Sequence, residues 1–454
     1  MKKQLQIFLD FLRFCIGSAK EIPDSLKEVD WKEQYAIAKK QCLVGVLFDG
    51  IKRLHAEHVG MKKELLLQWM AESQMLEKTN VRLNDAAIQV SEWFRKKGFR
   101  TCVLKGQGNA LMYPNPYSRT PGDIDIWVEG GDKRVISFVR SISPHEKACY
   151  HHIEFPSYKG VEVEVHYRPS FLLCFWHNRR LQGYYERVMD EQFAHRVKLG
   201  GQGEVAVPKA EFNLIFQLTH IFTHLMNEGI GLRQLLDYFF LLKNTDFIGN
   251  ADGGAFFANT DCTDNTNKIG GNADGDGSLL NTDFTDNTDW IGGNVDGDGF
   301  LLNTDFTDFT DRIGGNTDGD GFLLNTDFTD NTNRIGGNAD GVDRRLLQDE
   351  LRRLGLWEFA GAVMYIMQEV FGMPACRLIV PPHEKYGKFV LNEVLEAGNF
   401  GKHDARNRFG RSQLGHNLQR VYRDIRLVRY FPAEALSEPI FRIWHFFWRC
   451  YQKM

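Results

Sequence analysis

The chain has no uncharged apolar run near the roughly 18 residues that begin to cross a bilayer, so no transmembrane span is expected. It also lacks a secretory h-region: Asp10 and Arg13 fall where the apolar core would stand, and the first residues read as a helix instead. The eight cysteines (15, 42, 102, 149, 174, 262, 376 and 450) contain no Cys-x-x-Cys spacing. Several lie in apolar segments, as reduced core thiols would, which makes a cytoplasmic location the simplest expectation. Residues 244–341 are poor in positive charge, with 19 Asp against 3 Lys and Arg. The remaining 356 residues then carry 52 basic and 40 acidic residues. A basic body suits a polyanionic substrate such as a nucleotide or RNA, although scattered solvated Lys and Arg would give the same balance.

The most informative segment is Thr120-Pro-Gly-Asp-Ile-Asp-Ile-Trp-Val128. Asp123 and Asp125 flank one apolar residue in a run that reads as a buried strand. Side chains alternate across a strand, so both carboxylates emerge on one face, about 7 Å apart at Cβ. Two like charges about 5 Å apart repel by roughly 3 kcal/mol at an effective dielectric near 20. A divalent cation relieves that repulsion, and hard oxygen ligands favour Mg2+ or Mn2+. An acidic strand edge facing water is the plainer alternative.

The context of the pair strengthens the metal reading. Upstream, Arg100 to Lys105 reads as a strand, followed by Gly106 and a short helix. Downstream, Val161-Glu-Val-Glu-Val-His-Tyr167 alternates strictly, with Glu162, Glu164 and His166 on one face. A third carboxylate on a neighbouring strand completes the set that two-metal phosphoryl transfer requires. Together, Leu104-Lys105-Gly106, Tyr113-Pro114, Arg119, Asp123-Ile124-Asp125 and Glu164-Val165-His166 resemble the nucleotidyltransferase superfamily of DNA polymerase β. They are closer still to bacterial nucleotidyltransferase family proteins with the same ordered motifs. The resemblance covers about residues 1–243 and 342–454. It implies Asp123, Asp125 and Glu164 as catalytic carboxylates and metal ligands, with Lys105, Gly106, Arg119 and Arg233 binding a nucleoside triphosphate. Polymerase-like members carry Gly-Ser before the Asp pair; Lys105-Gly106-Gln107-Gly108 stands here instead, which leaves the handling of the triphosphate open.

The central block repeats itself. Asn-Thr-Asp units begin at Asn259, Asn281, Asn303 and Asn325, a period of 22, with a shortened copy at Asn244. Each unit has few large apolar residues to offset the entropy of ordering it, so a disordered or loosely β-like insertion is expected. Asn272, Asp274, Asp276 and Asp283, with Gly277, also match an EF-hand or dockerin-like calcium loop that recurs from Asn294 and Asn316. No helix-forming sequence flanks these loops.

Helical periodicity marks 4–16, 31–54, 61–98, 132–141, 211–227, 232–243, 344–355 and 357–371. The segment 148–155 reads as a strand pairing with 161–167. His220 and His224 share a helical face one turn before Glu228; without a His-Glu-x-x-His pattern they read as core histidines. The resemblance offers a cleft-facing helix instead, with Arg233 on phosphate and Asp237 orienting Arg233.

The expected fold is α+β: a helical region 1–98, a nucleotidyltransferase core with a small mixed sheet at 99–207, helices at 208–243 and 342–454, and the repeat insertion 244–341 between them. The expected activity is metal-dependent transfer of a nucleotidyl group to an unknown acceptor, whether small molecule, protein or RNA. Phosphoryl transfer shares the metal site. A silent or regulatory protein on the same fold, with the repeats as a calcium-binding or interaction module, is the alternative from another class.

Overall fold

A computed structural model describes residues 3–54, 60–200, 203–248, 301–304, 323–326, 341–402, 404, 406 and 413–451. It divides into two units, residues 1–258 with 334–454, and residues 259–333. The larger unit is α+β, as expected. Its sheet runs in the order β1-β2-β4-β3, with β1 Thr101–Val103, β2 Ile124–Val128, β3 His152–Tyr158 and β4 Val161–His166. β1 and β2 are antiparallel and β3 and β4 form an antiparallel pair, while β2 and β4 run parallel. Parallel neighbours need a crossover, which the helix Gly131–Ile142 helps supply.

Alternation on β2 and β4 divides the sheet into two chemically different faces. Ile124, Ile126, Val128, Val163 and Val165 pack on Leu83, Ala87, Val90 and Phe94 from the C-terminal half of the helix Lys63–Lys96. The opposite face puts Trp127 against Phe193 and Phe212, with ring centroids 4.8 and 5.7 Å away. Beside Trp127, the same face carries Asp125, Glu164 and His166. One face is therefore committed to a dry core, and the other is shared between aromatic packing and a polar site.

The long helix also ties the N-terminal region to the core. Trp69 is fully buried and donates its indole N–H to the Val44 carbonyl at 2.9 Å. The N-terminal helices and those after Pro208 share a single apolar cluster, so the helical regions do not each have a separate core. The segment 31–54 is two helices, Trp31–Gln41 and Val44–Lys52, because Cys42 adopts a left-handed conformation (φ 55°) that ends the first. Gly355 (φ 70°) likewise separates Arg344–Arg353 from Trp357–Glu369, as its sequence context suggests. The helix Phe175–Ala194 and the hairpin Arg196–Leu199/Gly203–Ala206 were not read from the sequence.

Thr245 is buried, and Phe247–Ile248 pairs in parallel with Val342–Asp343. The first and last residues assigned to the insertion thus belong to the larger unit, and its two ends are held side by side. In the smaller unit, Leu301–Thr304 pairs in parallel with Leu323–Thr326, Leu301 opposite Leu323. That offset is one 22-residue repeat. The predicted calcium loops lie outside the described residues.

No helix among the described residues is long and apolar enough to cross a membrane. Cys15, Cys42, Cys102, Cys149, Cys174 and Cys450 are free thiols. Cys376 is disulfide-bonded, which departs from the reduced set expected.

Candidate active site

The site grows from the register of β2 on β4. Asp125 sits opposite Glu164 on the parallel neighbour, and Trp127 opposite His166. Asp123 lies one residue before β2, on the face that Asp125 shares. Ligand atoms of Asp123, Asp125 and Glu164 all fall within 4.8 Å of one another. The third carboxylate predicted from alternation therefore meets the other two. Glu162, also on that face, is exposed and stands outside this group.

The two aspartates are not equivalent, although the sequence suggests a symmetric repelling pair. Asp125 is buried and accepts from Lys105 Nζ at 2.6 Å and from His166 Nε2 at 2.9 Å. Burial works to raise its pKa, but Lys105 and His166 outweigh burial and hold the carboxyl far below the usual range. Asp123 experiences the opposite balance: the neighbouring Asp125 charge, then burial, raise it from 3.8 to about 6. His166 loses by burial and gains more from Asp125 and Glu164, rising from 6.5 to about 9.

Lys105 ends the strand β1 region and enters the acid cluster. Burial disfavours its charge, yet Asp125, Asp123 and Glu164 together raise its pKa. An ammonium group lodged beside all three carboxylates shows that the cluster attracts positive charge, and its oxygen-only donor set fits a hard divalent cation. Gly106 follows with φ 57° and ψ −106°, a conformation open to glycine but strained for other residues. It turns the chain into the helical turn Gln107–Ala110. His220 Nε2 lies 3.4 Å from Lys105 Nζ. Burial, then the Lys105 charge, push His220 well below its ordinary pKa, so it stays neutral.

Arg119 and Arg233 reach the same cleft in different states. Arg119 makes a two-pronged pair with Asp237, Nε and Nη2 each at 2.8 Å, and Tyr113 Oη donates to Asp237 Oδ1 at 2.7 Å. Asp237 therefore pairs with Arg119, not with Arg233 as the sequence suggests. The chain carrying Arg119 is fixed by Asn80 Nδ2, which donates to the carbonyls of Tyr117 and Arg119 at 2.8 Å each. Arg233 Nη1 donates to the Thr120 carbonyl at 3.1 Å, and its guanidinium lies 5.7 Å from the Phe400 ring centroid. Its buried Nε has no hydrogen-bond partner among the described residues. A buried guanidinium with a free donor and no carboxylate of its own is suited to an anionic ligand.

These residues converge on a cleft of about 510 Å³, open mouth included, lined among others by Lys105, Gly106, Arg119, Asp123, Asp125 and Arg233. His166 and Phe400 were given no role by the sequence, whereas His220 and Asp237 reach the cleft on the helices that the resemblance placed there. His166 was within reach of sequence reasoning, two residues from Glu164 on one strand face; Phe400 was not, since it arrives from the far C-terminal region.

Three carboxylates on adjacent strands, beside a cleft with cationic side chains, form the kind of donor set that metal-dependent phosphoryl transfer requires. Residues 27–259, half of the chain, match the model of the family described as uncharacterised nucleotidyltransferases, and the chain belongs to that family. No curated protein and no solved structure matches it.

Proposed function

We propose that the protein is a divalent-metal-dependent nucleotidyltransferase that moves an NMP group from a nucleoside triphosphate to a hydroxyl or amine acceptor. The observation that carries this reading is the meeting of Asp123, Asp125 and Glu164 on one sheet face within 4.8 Å. Asp123, Asp125 and Glu164 would hold Mg2+ or Mn2+. The bound ions supply Lewis-acid stabilisation of charge on the transferring phosphate. Glu164, the least buried of the three, accepts the acceptor's proton and delivers it to solvent. Lys105 and Arg233 meet the phosphate charge, an electrostatic contribution that needs no motion at the moment of reaction. Arg119, already paired with Asp237, acts through the loop it anchors, keeping Thr120 to Asp125 in place.

The decisive experiment incubates purified protein with Mg2+ and ATP labelled at either the α- or the γ-phosphate, with cell extract as acceptor source. Transfer of α-label with pyrophosphate release supports the proposal. Transfer of γ-label alone replaces it with phosphoryl transfer. The saturation of Asp125 by Lys105 and His166 favours a second reading, a nucleotide-binding protein without turnover. Triphosphate binding unaffected by chelator, with no label transferred, would establish that reading.

A further inference from the structure

Beyond the carboxylate pair, the opposite edge of the same sheet face is rich in nitrogen. His152 on β3 lies directly across from His166 on β4, two register positions from Glu164 on the same face. His152 Nδ1 is 3.3 Å from Glu164 Oε2, and His166 Nε2 is 3.4 Å from that same oxygen. The three donor atoms lie within 4.8 Å of one another. A tetrahedral zinc ion has ligand bonds of about 2.0–2.1 Å, which place neighbouring donor atoms about 3.3–3.4 Å apart. The two measured edges agree with that spacing and are longer than a good N–H···O contact of about 2.9 Å.

Proton counting points the same way. A ring nitrogen has one in-plane direction for a proton or a lone pair. His152 Nδ1 is nevertheless approached by two heteroatoms, His151 Nε2 at 3.1 Å and Glu164 Oε2 at 3.3 Å. His166 Nε2 is approached by Asp125 Oδ1 at 2.9 Å and Glu164 Oε2 at 3.4 Å. Donor atoms crowding two ring nitrogens from several directions suit a shared cation better than a chain of single hydrogen bonds. The outer shell is also in place, because His166 Nδ1 faces the Arg168 carbonyl at 3.4 Å; a bound cation would take the Nε2 lone pair in place of the proton that Nε2 otherwise gives Asp125.

We propose that His152, Glu164 and His166 form a second cation site, selective for a borderline transition ion such as Zn2+ and distinct from the hard-ion site at Asp123 and Asp125. Two imidazoles and one carboxylate favour Zn2+ over Mg2+, whereas the oxygen-only set favours the reverse. Glu164 belongs to both sets, so this inference rests on the placement of Glu164 in the reading above but not on the reaction assigned there. An ion held by β3 and β4 would hold one Glu164 oxygen and leave the other to the acidic pair.

The test strips metal from the full-length protein and titrates Zn2+ against a chromogenic chelator, with Co2+ followed by its visible absorption. Wild type and Asp123→Asn should each bind one tight equivalent. His152→Ala and His152→Gln, checked for folding by thermal melting, should bind it at least tenfold more weakly and lose the Co2+ bands. Unchanged affinity in the folded His152 variants would overturn the proposal. So would an equal loss in Asp123→Asn, which would put the ion on the carboxylate pair. X-ray absorption of zinc-loaded wild type needs no variant: imidazole scattering supports the site, and an oxygen-only shell overturns it. Mg2+-dependent triphosphate binding, measured in parallel, reports on the carboxylate site separately.

Discussion

Replacing Asp123 by Asn should stabilise the metal-free protein, although the residue is assigned to catalysis. In the folded chain its pKa rises from 3.8 to about 6, chiefly through the Asp125 charge. The unfolded chain therefore releases this proton first on going up in pH, while the folded chain still holds it. Wherever the folded state binds more protons, stability falls as pH rises. The penalty begins near 3.8, grows through about 6 and is complete above it. At about 1.36 kcal/mol per unit the full shift corresponds to about 3 kcal/mol, and solvent around the half-buried carboxyl reduces that to about 2 kcal/mol. Urea unfolding in chelator at about pH 8 should show Asp123→Asn more stable than wild type by this amount, and the gap should close near pH 4. Saturating Mg2+ should stabilise the wild type and leave the variant nearly unchanged. A variant less stable than wild type at pH 8 in chelator would mean Asp123 has a compensating partner, and the reasoning from repulsion would fail.

Asp125→Asn should do the reverse, lowering the melting temperature, since it leaves Lys105 and His166 charged in a buried site, a loss on the order of 3 kcal/mol. His166, raised from 6.5 to about 9, contributes stability that is complete below 6.5 and is lost as pH rises through about 9; a pH series of melts should show that alkaline loss in wild type and not in Asp125→Asn. Glu164→Gln should keep triphosphate binding and lose turnover by on the order of 10²-fold, while the exposed Glu162 tolerates the same change; a larger loss at Glu162 would move the role there. Arg119→Ala should cost about 3–5 kcal/mol by stranding the buried Asp237 carboxylate, and a far smaller change in the urea midpoint would show that the loop does not depend on the pair. Replacing residues 259–333 by a short Gly/Ser linker should leave folding and label transfer intact, because the insertion ends are already paired at Phe247–Val342 and closure entropy grows only logarithmically with length; loss of the folded state on circular dichroism would refute this.

The sequence by itself determined what depends on period and neighbours along the chain. Alternation on 161–167 put Glu164 and His166 on one face, and Asp123 shares a face with Asp125, because side chains on a strand alternate wherever that strand sits. The 22-residue repeat, the break at Gly355 and the long helix before the first strand are equally local. Tertiary structure decided which partners those side chains meet. Asp237 lies 118 residues from Arg119, and nothing local distinguishes Arg119 from Arg233 as its mate; packing of the helix Leu232–Lys243 beside the Arg119 loop does. The same holds for the unequal aspartates. Two carboxylates two residues apart look interchangeable until Lys105 and His166 reach Asp125 alone, because charge balance is set by distances across strands that the chain order does not contain. His152 faces Glu164 and His166 only because β3 folds back in that register, which no local pattern reveals.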